Sequence, residues 1–113
     1  MTLRLPAHLE VSGLLRLVAA AGGFAAVLHK GEREAGTIAV ICAENGTNRR
    51  FFERMPGADG TRSWLVSMVE DTENKDKFDD YTRRRGTQDP DLWIIELDIP
   101  NGERFIGLTG TNN

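Results

Sequence analysis

Four short segments between Phe24 and Val69 constrain the fold most strongly, because each has the composition of a β-strand. They are rich in β-branched and apolar residues, and clusters of Gly, Pro, Asn and charged residues separate them. The segments are 24–30, 37–44, 49–54 and 62–69. Asn45-Gly46 favours a tight turn, since both positions accept positive φ. The sequence therefore predicts a four-strand antiparallel meander, in which the charged Gly31–Gly36 loop closes a first hairpin.

Strict alternation sorts the side chains of this predicted meander onto two faces. If each loop is symmetric about its centre, one face is almost entirely apolar, and we expect it to face the core. Its members are Ala25, Val27, Ile38, Val40, Cys42, Phe51, Trp64, Val66 and Met68. The other face combines apolar residues with arginine and serine, so we expect it to be only partly covered. Its members are Phe24, Ala26, Leu28, Ala39, Ile41, Phe52, Leu65, Arg50, Arg54, Ser63 and Ser67.

Segments on either side of the meander predict two helices and one more strand. Pro6 and the helical spacing of apolar residues over 11–18 predict an amphipathic helix that ends at Gly22-Gly23 and packs on the core face. A charged helix follows from Asp71 or Thr72 to about Arg85. Its apolar stripe is thin, so it should rest lightly on the sheet.

The apolar segment 92–98 predicts a fifth strand that is covered on both faces. It could pair antiparallel with the first strand or parallel with the fourth, and the first arrangement is favoured. The segment 100–106 is left without an assignment. The predicted fold is one α+β domain spanning residues 1–113, with a largely antiparallel five-stranded sheet and two helices.

Composition excludes several classes of function. A formal charge of −3 gives no general attraction to nucleic acids or acidic membranes. A single cysteine, Cys42, cannot form an internal disulfide, and the apolar stretches are too short for a membrane span. We therefore expect a cytoplasmic protein. His8 and His29 lie on different predicted elements without ligand spacing, so no metal site and no cofactor are predicted.

Several stretches distributed along the chain resemble a small bacterial family of unknown function, the uncharacterised family numbered 1491. They are 11–16, 22–24, 31–36, 52–54, 59–64 and 89–93. The resemblance covers nearly the whole chain. It implies a small bacterial cytosolic protein, and it implies no activity, cofactor or site residue.

The polar part of the second face suggests a ligand site. Arg50 and Arg54 would place two guanidinium groups beside the hydroxyls of Ser63 and Ser67, which suits a phosphate or carboxylate. The alternative is that these polar side chains only keep an exposed sheet surface soluble. An anion or small-ligand binder is thus one hypothesis.

A histidine and a carboxylate suggest an enzyme as another hypothesis. The predicted register places His29, Glu53 and Trp64 in one row, where His29 and Glu53 could form an acid and base pair. Their strands would be about 9.6 Å apart, so a direct contact is disfavoured. Donation from the Trp64 indole to Glu53 is the simpler interpretation.

The run Arg83–Arg85 is the most basic stretch of the chain. It could contact a phosphate or an acidic partner. Asp79 and Asp80 precede Arg83 and Arg84 by four residues, which favours a helix end that neutralises its own charge.

The leading functional hypothesis is a nonenzymatic binding or regulatory module. An uncovered apolar patch would attract a protein partner or a second copy of the chain. The predicted patch consists of Phe24, Leu28, Ile41, Phe52 and Leu65.

Overall fold

The computed structural model describes residues 5–56 and 62–110. Within these residues the chain forms three helices and five strands. In chain order they are α1 (Ala7–Ala20), β1 (Phe24–His29), β2 (Ile38–Glu44), β3 (Thr47–Pro56), β4 (Arg62–Val69), α2 (Lys75–Gln88), β5 (Trp93–Asp98) and α3 (Glu103–Gly110). None of these helices is both long and apolar enough to cross a membrane.

The five strands form one mixed sheet in the order β1-β5-β2-β3-β4. β5 pairs antiparallel with β1 and parallel with β2, and the remaining pairings are antiparallel. The α+β class and the favoured pairing of β5 with β1 are confirmed. The predicted hairpin of β1 with β2, and with it the four-strand meander, is wrong because β5 lies between those two strands.

The loop between β1 and β2 explains how a fifth strand fits there. The Glu32 amide donates to the Asp91 carbonyl at 3.0 Å, and the Trp93 indole donates to the Glu32 carbonyl at 2.8 Å. A Cβ on Gly31 or Gly36 would lie 2.2 or 2.5 Å from the Asp91 oxygen. The two glycines therefore let the loop pack against the residues entering β5, so it spans two strand spacings instead of closing a hairpin.

A β-bulge in the hairpin of β2 and β3 changes which side chains share a face. Cys42 is opposite Arg50 and Glu44 is opposite Thr47, so β3 has one extra residue. Asn48, within this irregularity, has φ 56°. Because one extra residue moves every later side chain to the other face, Phe52 lies opposite Val40.

Further irregularities correct the predicted faces on β4 and β1. The register of β3 and β4 shifts between Phe51 and Phe52, which leaves Met68 opposite Phe51. The register of β1 and β5 shifts between Val27 and His29. Phe51 and Met68 therefore lie away from the predicted core face.

Two apolar clusters lie on opposite faces of the sheet. The α1 face is covered by α1 and α3. Its buried members are Ala7, Val11, Leu14, Val18, Ile38, Val40, Cys42, Phe52, Trp93, Ile95, Leu97, Ile99, Phe105 and Ile106. The α2 face is covered by α2, and its buried members are Ala39, Ile41, Phe51, Phe78, Leu92 and Ile94. The central strands β2 and β5 are therefore apolar on both sides.

The second helix rests on the sheet mainly through its aromatic residues. The Phe51 ring meets Phe78 and Tyr81 edge-on, with centroid separations of 6.3 and 5.1 Å. α2 begins at Lys75, later than predicted, because the Asn74 amide donates to the Asp71 carbonyl in a preceding turn. The thin apolar stripe expected from the sequence is confirmed.

Candidate functional site

The edge strand β1 is unusually exposed for a strand that contains no Asp, Glu, Lys or Arg. Phe24 is 79% exposed, Leu28 50% and Val27 40%. β1 has β5 on one side and no described strand on the other. Sheet edges normally carry charges, Pro or a covering segment that prevents pairing with another chain. Within the described residues, β1 has an apolar edge that is open to such pairing.

The predicted partner patch is divided between several places. Phe24 and Leu28 lie on β1, whereas Leu65, 53% exposed, lies on β4 at the opposite edge. Ile41 is buried in the α2-face cluster, and Phe52 is buried in the α1-face cluster. The five residues therefore do not form one surface, and only the β1 pair remains together and exposed.

A cleft of about 570 Å³ lies on the α2 face, between α2 and the strands beside the β1 edge. Its lining is Leu28, His29, Ile41, Arg49, Asp79, Thr82, Arg83, Gly86, Thr87, Ile94 and Glu96. A concave site with apolar walls and a few converging polar groups is the usual form of a ligand site. The cleft adjoins the open edge of the sheet through Leu28 and His29.

His29 is held firmly at one end of this cleft. Its Nδ1 lies 2.6 Å from the Leu92 carbonyl oxygen, and since a carbonyl only accepts, Nδ1 carries the proton. A Cβ on Gly86 would lie 2.7 Å from the His29 Cδ2, so the ring packs directly on the α2 backbone. The histidine thus joins β1, β5 and α2.

Glu96 is the polar residue of the cleft that the sequence analysis overlooked. It projects from β5 opposite Ala26 and Ile41, and it is partly buried. Burial raises the pKa of its carboxyl group, and the negative charge of Asp98 adds to this effect. No donor within residues 5–56 and 62–110 hydrogen bonds to it. A signal was available in the sequence, since Glu96 is the one charged residue inside an apolar strand.

Arg49 faces the same cleft but is already bound by acidic residues. Its Nε and a terminal nitrogen donate to Glu70 at 3.0 and 2.8 Å, and its other terminal nitrogen donates to Asp79 at 2.6 Å. The guanidinium also stacks over the Phe78 ring at 4.5 Å. Its charge is therefore neutralised within the protein.

The predicted anion site is not assembled as expected. The Arg50 guanidinium forms ion pairs with Glu44 and Glu103 at 3.0 and 2.9 Å, and Arg54 pairs with Glu10. The bulge places both arginines on the α1 face, so the expected grouping with Ser63 and Ser67 is wrong: Ser63 lies opposite Met55 and Ser67 donates to the Phe51 carbonyl. Anion binding at Arg50 and Arg54 stays a prediction, and it would require displacement of carboxylates of the protein itself.

The His29 and Glu53 pair is likewise not brought together. β1 and β3 have β5 and β2 between them, which places their backbones about 14 Å apart. Glu53 accepts from Arg85 at 2.8 Å and from the Tyr81 hydroxyl at 2.9 Å. Two hydrogen bonds from Arg85, supported by Tyr81, keep the Glu53 pKa below its usual value against the effect of burial. Enzymatic use of His29 and Glu53 stays a hypothesis, and the two side chains do not share a site.

Trp64 does not donate to Glu53, in contrast to the sequence interpretation. It lies on the α1 face with Arg54, whose guanidinium is 5.1 Å from the ring centre. The indole nitrogen is buried and has no acceptor among the residues that the structure describes.

Two members of the arginine run, Arg83 and Arg85, pair with carboxylates, and both pairings differ from those expected. Arg83 pairs with Asp80 at 2.7 Å, three residues apart, and Arg85 pairs with Glu53 at 2.8 Å. Asp79 binds Arg49 instead of Arg83. The predicted spacing of four residues is therefore wrong.

Metal and thiol chemistry find no support in the described ranges. No group of three or more His, Cys, Asp or Glu side chains there could hold a metal ion. Cys42 is fully buried, and burial, with a contribution from Glu103, raises its pKa to about 12. Its thiol is therefore unreactive at neutral pH.

Comparison with known proteins identifies the family to which the chain belongs. The family model described as a protein of unknown function, DUF1491, matches residues 5–107. The chain belongs to the DUF1491 family. The resemblance noted in the sequence is thereby confirmed, and no curated protein matches this DUF1491 chain.

Solved structures of relatives share the fold. A crystal structure of a DUF1491 family protein from Caulobacter crescentus CB15 is 29% identical, with a TM-score of 0.79 over 90% of this chain and 94% of that chain. An NMR structure of a DUF1491 family protein from the same organism is 28% identical, with a TM-score of 0.77 over 92% and 94%. The solution structure of protein Atu0922 from A. tumefaciens is 28% identical, with a TM-score of 0.67 over 96% and 93%.

Proposed function

We propose that this DUF1491 protein is a nonenzymatic binding module that accepts an extended segment of a partner protein along the β1 edge. The observation that carries this proposal is the exposure of an apolar edge strand whose outer side is paired with no described strand. Phe24 is 79% exposed and Leu28 is 50% exposed. A cytoplasmic location is part of the proposal.

Strand addition suits this edge for two physical reasons. The outer row of backbone N–H and C=O groups of β1 can form a ladder with an incoming strand, which supplies affinity independent of sequence. Alternate side chains of that strand would then lie over Phe24 and Leu28 on the α2 face, where apolar contact adds to the stabilisation. Pairing with β5 holds β1 in an extended conformation that is ready to pair on its other side.

The opposite edge supports the choice of β1 by contrast. β4 also exposes apolar residues, with Leu65 at 53% and Val69 at 57%. However, β4 has a bulge at Ser67, and bulges disrupt regular pairing at sheet edges. β1 has its irregularity at Leu28, near its end, so residues 24–27 form an uninterrupted row, whereas the bulge at Ser67 divides the row of β4 in two.

Site-specific photo-crosslinking in native cells tests the proposal. A photoreactive side chain at position 28 should capture one discrete partner protein, whereas the same group at position 65, matched in residue type and exposure, should not. Equal capture from both positions, or none from position 28, would contradict it. Capture of a second copy of the chain from position 28 would also contradict it and assign the edge to self-association.

A further inference from the structure

The cleft beside β1 combines an apolar wall with a single carboxylate that has no donor among the described residues. Leu28, Ile41 and Ile94 supply the apolar wall, and Glu96 supplies the carboxylate. A partly buried carboxylate that no donor of the protein contacts keeps only part of its hydration, and the lost part costs free energy. A ligand that donates to Glu96 would remove this cost.

The charges that face the cleft favour a cationic ligand. The positive charge of Arg49 on β3 is opposed by two carboxylates, those of Glu70, just after β4, and of Asp79 on α2. Arg83 on α2 is paired with Asp80.

The remaining titratable groups lie on β1 and β5. The His29 ring is held by the Leu92 carbonyl, and Asp98 adds a negative charge near Glu96. The lining itself carries two arginines and two carboxylates, and the carboxylates of Glu70, Asp80 and Asp98 just outside it give the surroundings an excess of negative charge. This excess attracts a cation and repels an anion.

We propose that the cleft between α2 and β1 binds a primary alkylammonium group, with the ammonium on the Glu96 carboxylate and the alkyl stem on Leu28. An ammonium offers three donors on a compact charge, and a flexible stem of methylene groups can lie on apolar walls. The same chemistry occurs in free aliphatic amines and in lysine side chains of proteins. This site depends on Glu96 and not on strand addition to β1.

The Glu96 carboxyl group itself reports binding in the intact protein. The probes are n-pentylamine, which represents a free amine, and Nα-acetyl-lysine methylamide, which represents a protein side chain. NMR of the Glu96 carboxyl carbon should show its pKa falling toward the ordinary value when either probe binds, because an ammonium favours the charged carboxylate. Tighter binding of pentylamine indicates a free amine as the natural source, and tighter binding of the lysine probe indicates a protein.

Matched controls separate this site from general electrostatic attraction. Pentanoate has a comparable stem with the opposite charge and should not bind. Glu96→Gln keeps the side-chain shape and should weaken pentylamine binding about tenfold or more. Glu73→Gln, which removes an exposed charge outside the cleft lining, should leave the binding unchanged. Absence of any Glu96 shift with both amines, equal binding of pentanoate, or unchanged binding by Glu96→Gln would overturn the proposal.

Discussion

The Arg54 guanidinium binds both carboxylate oxygens of Glu10, at 2.5 and 3.0 Å, and the two side chains are only 5% and 10% exposed. This ion pair joins β3 to α1 at the α1 face of the sheet. We expect Glu10→Gln to lower the free energy of unfolding by about 3–5 kcal/mol, because it leaves the buried Arg54 charge without its partner. Urea denaturation at neutral pH measures this change.

An exposed ion pair in the same protein supplies the control. Arg83 and Asp80 are paired at 2.7 Å, but their side chains are 65% and 62% exposed. Asp80→Asn should therefore cost less than about 1 kcal/mol. Similar losses for Glu10→Gln and Asp80→Asn would show that burial does not set the energetic importance of the first pair.

Two helical glycines should respond in opposite directions to the same substitution. At Gly86 in α2 a new Cβ would lie 2.7 Å from the His29 ring, whereas at Gly13 in α1 it would meet nothing within 4 Å. Gly86→Ala should destabilise the protein by about 1–3 kcal/mol through overpacking. Gly13→Ala should stabilise it by about 0.5–1 kcal/mol through helix propensity.

Thermal or urea denaturation of the two glycine variants checks this pair of predictions. The double variant Gly86→Ala with His29→Ala provides a further control, since removal of the ring should relieve the clash. If Gly86→Ala were as stabilising as Gly13→Ala, the close packing of His29 on α2 would be wrong.

Acid should weaken the contact of α2 with the sheet through Glu53. The folded-state pKa of Glu53 lies below its model-compound value of 4.5, chiefly because Arg85 donates to it. The unfolded state therefore binds more protons between these two values, and the stabilisation is present above 4.5 and lost as the pH falls through the folded-state pKa. Arg85→Met should reduce this acid-dependent loss.

The free energy of unfolding, measured from neutral to acid pH for the unmodified protein and for Arg85→Met, tests this dependence. The carboxyl groups of Glu44 and Glu70 also have lowered pKa values and keep their contributions in the variant. The predicted result is therefore a difference in the free energy of unfolding between the unmodified protein and Arg85→Met that becomes smaller at low pH. Parallel curves would contradict the role of Arg85.

Local sequence patterns predicted most of the secondary structure and the pairing of β5 with β1, but not the insertion of β5 between β1 and β2. Helical periodicity located α1, and the Asn45-Gly46 turn located the hairpin of β2 and β3. The insertion of β5 between β1 and β2 depends on contacts between the Gly31–Gly36 loop and Asp91, about sixty residues later. Pairing across such a separation leaves no periodic signal in either segment.

The faces of β3 were mispredicted for a different reason. One extra residue at the bulge near Asn48 reverses every later side chain, so Arg50 and Arg54 lie on the α1 face and Glu53 on the α2 face. Asn tolerates positive φ, but this tolerance alone does not distinguish a bulge from a regular turn. The sequence therefore predicted β3 as a strand, but it assigned the side chains of β3 to the wrong faces of the sheet.

The β1 edge is tested most directly by the affinity of the partner captured from position 28 for two matched lysine variants. Leu28→Lys and Leu65→Lys introduce the same charge at leucines that are 50% and 53% exposed on opposite edges of the sheet. Leu28→Lys should weaken binding about tenfold or more, because it places a charge in an apolar contact. Leu65→Lys should bind as the unmodified protein does. Equal affinity of the two variants, or a loss confined to Leu65→Lys, would contradict the assignment of β1 as the binding edge.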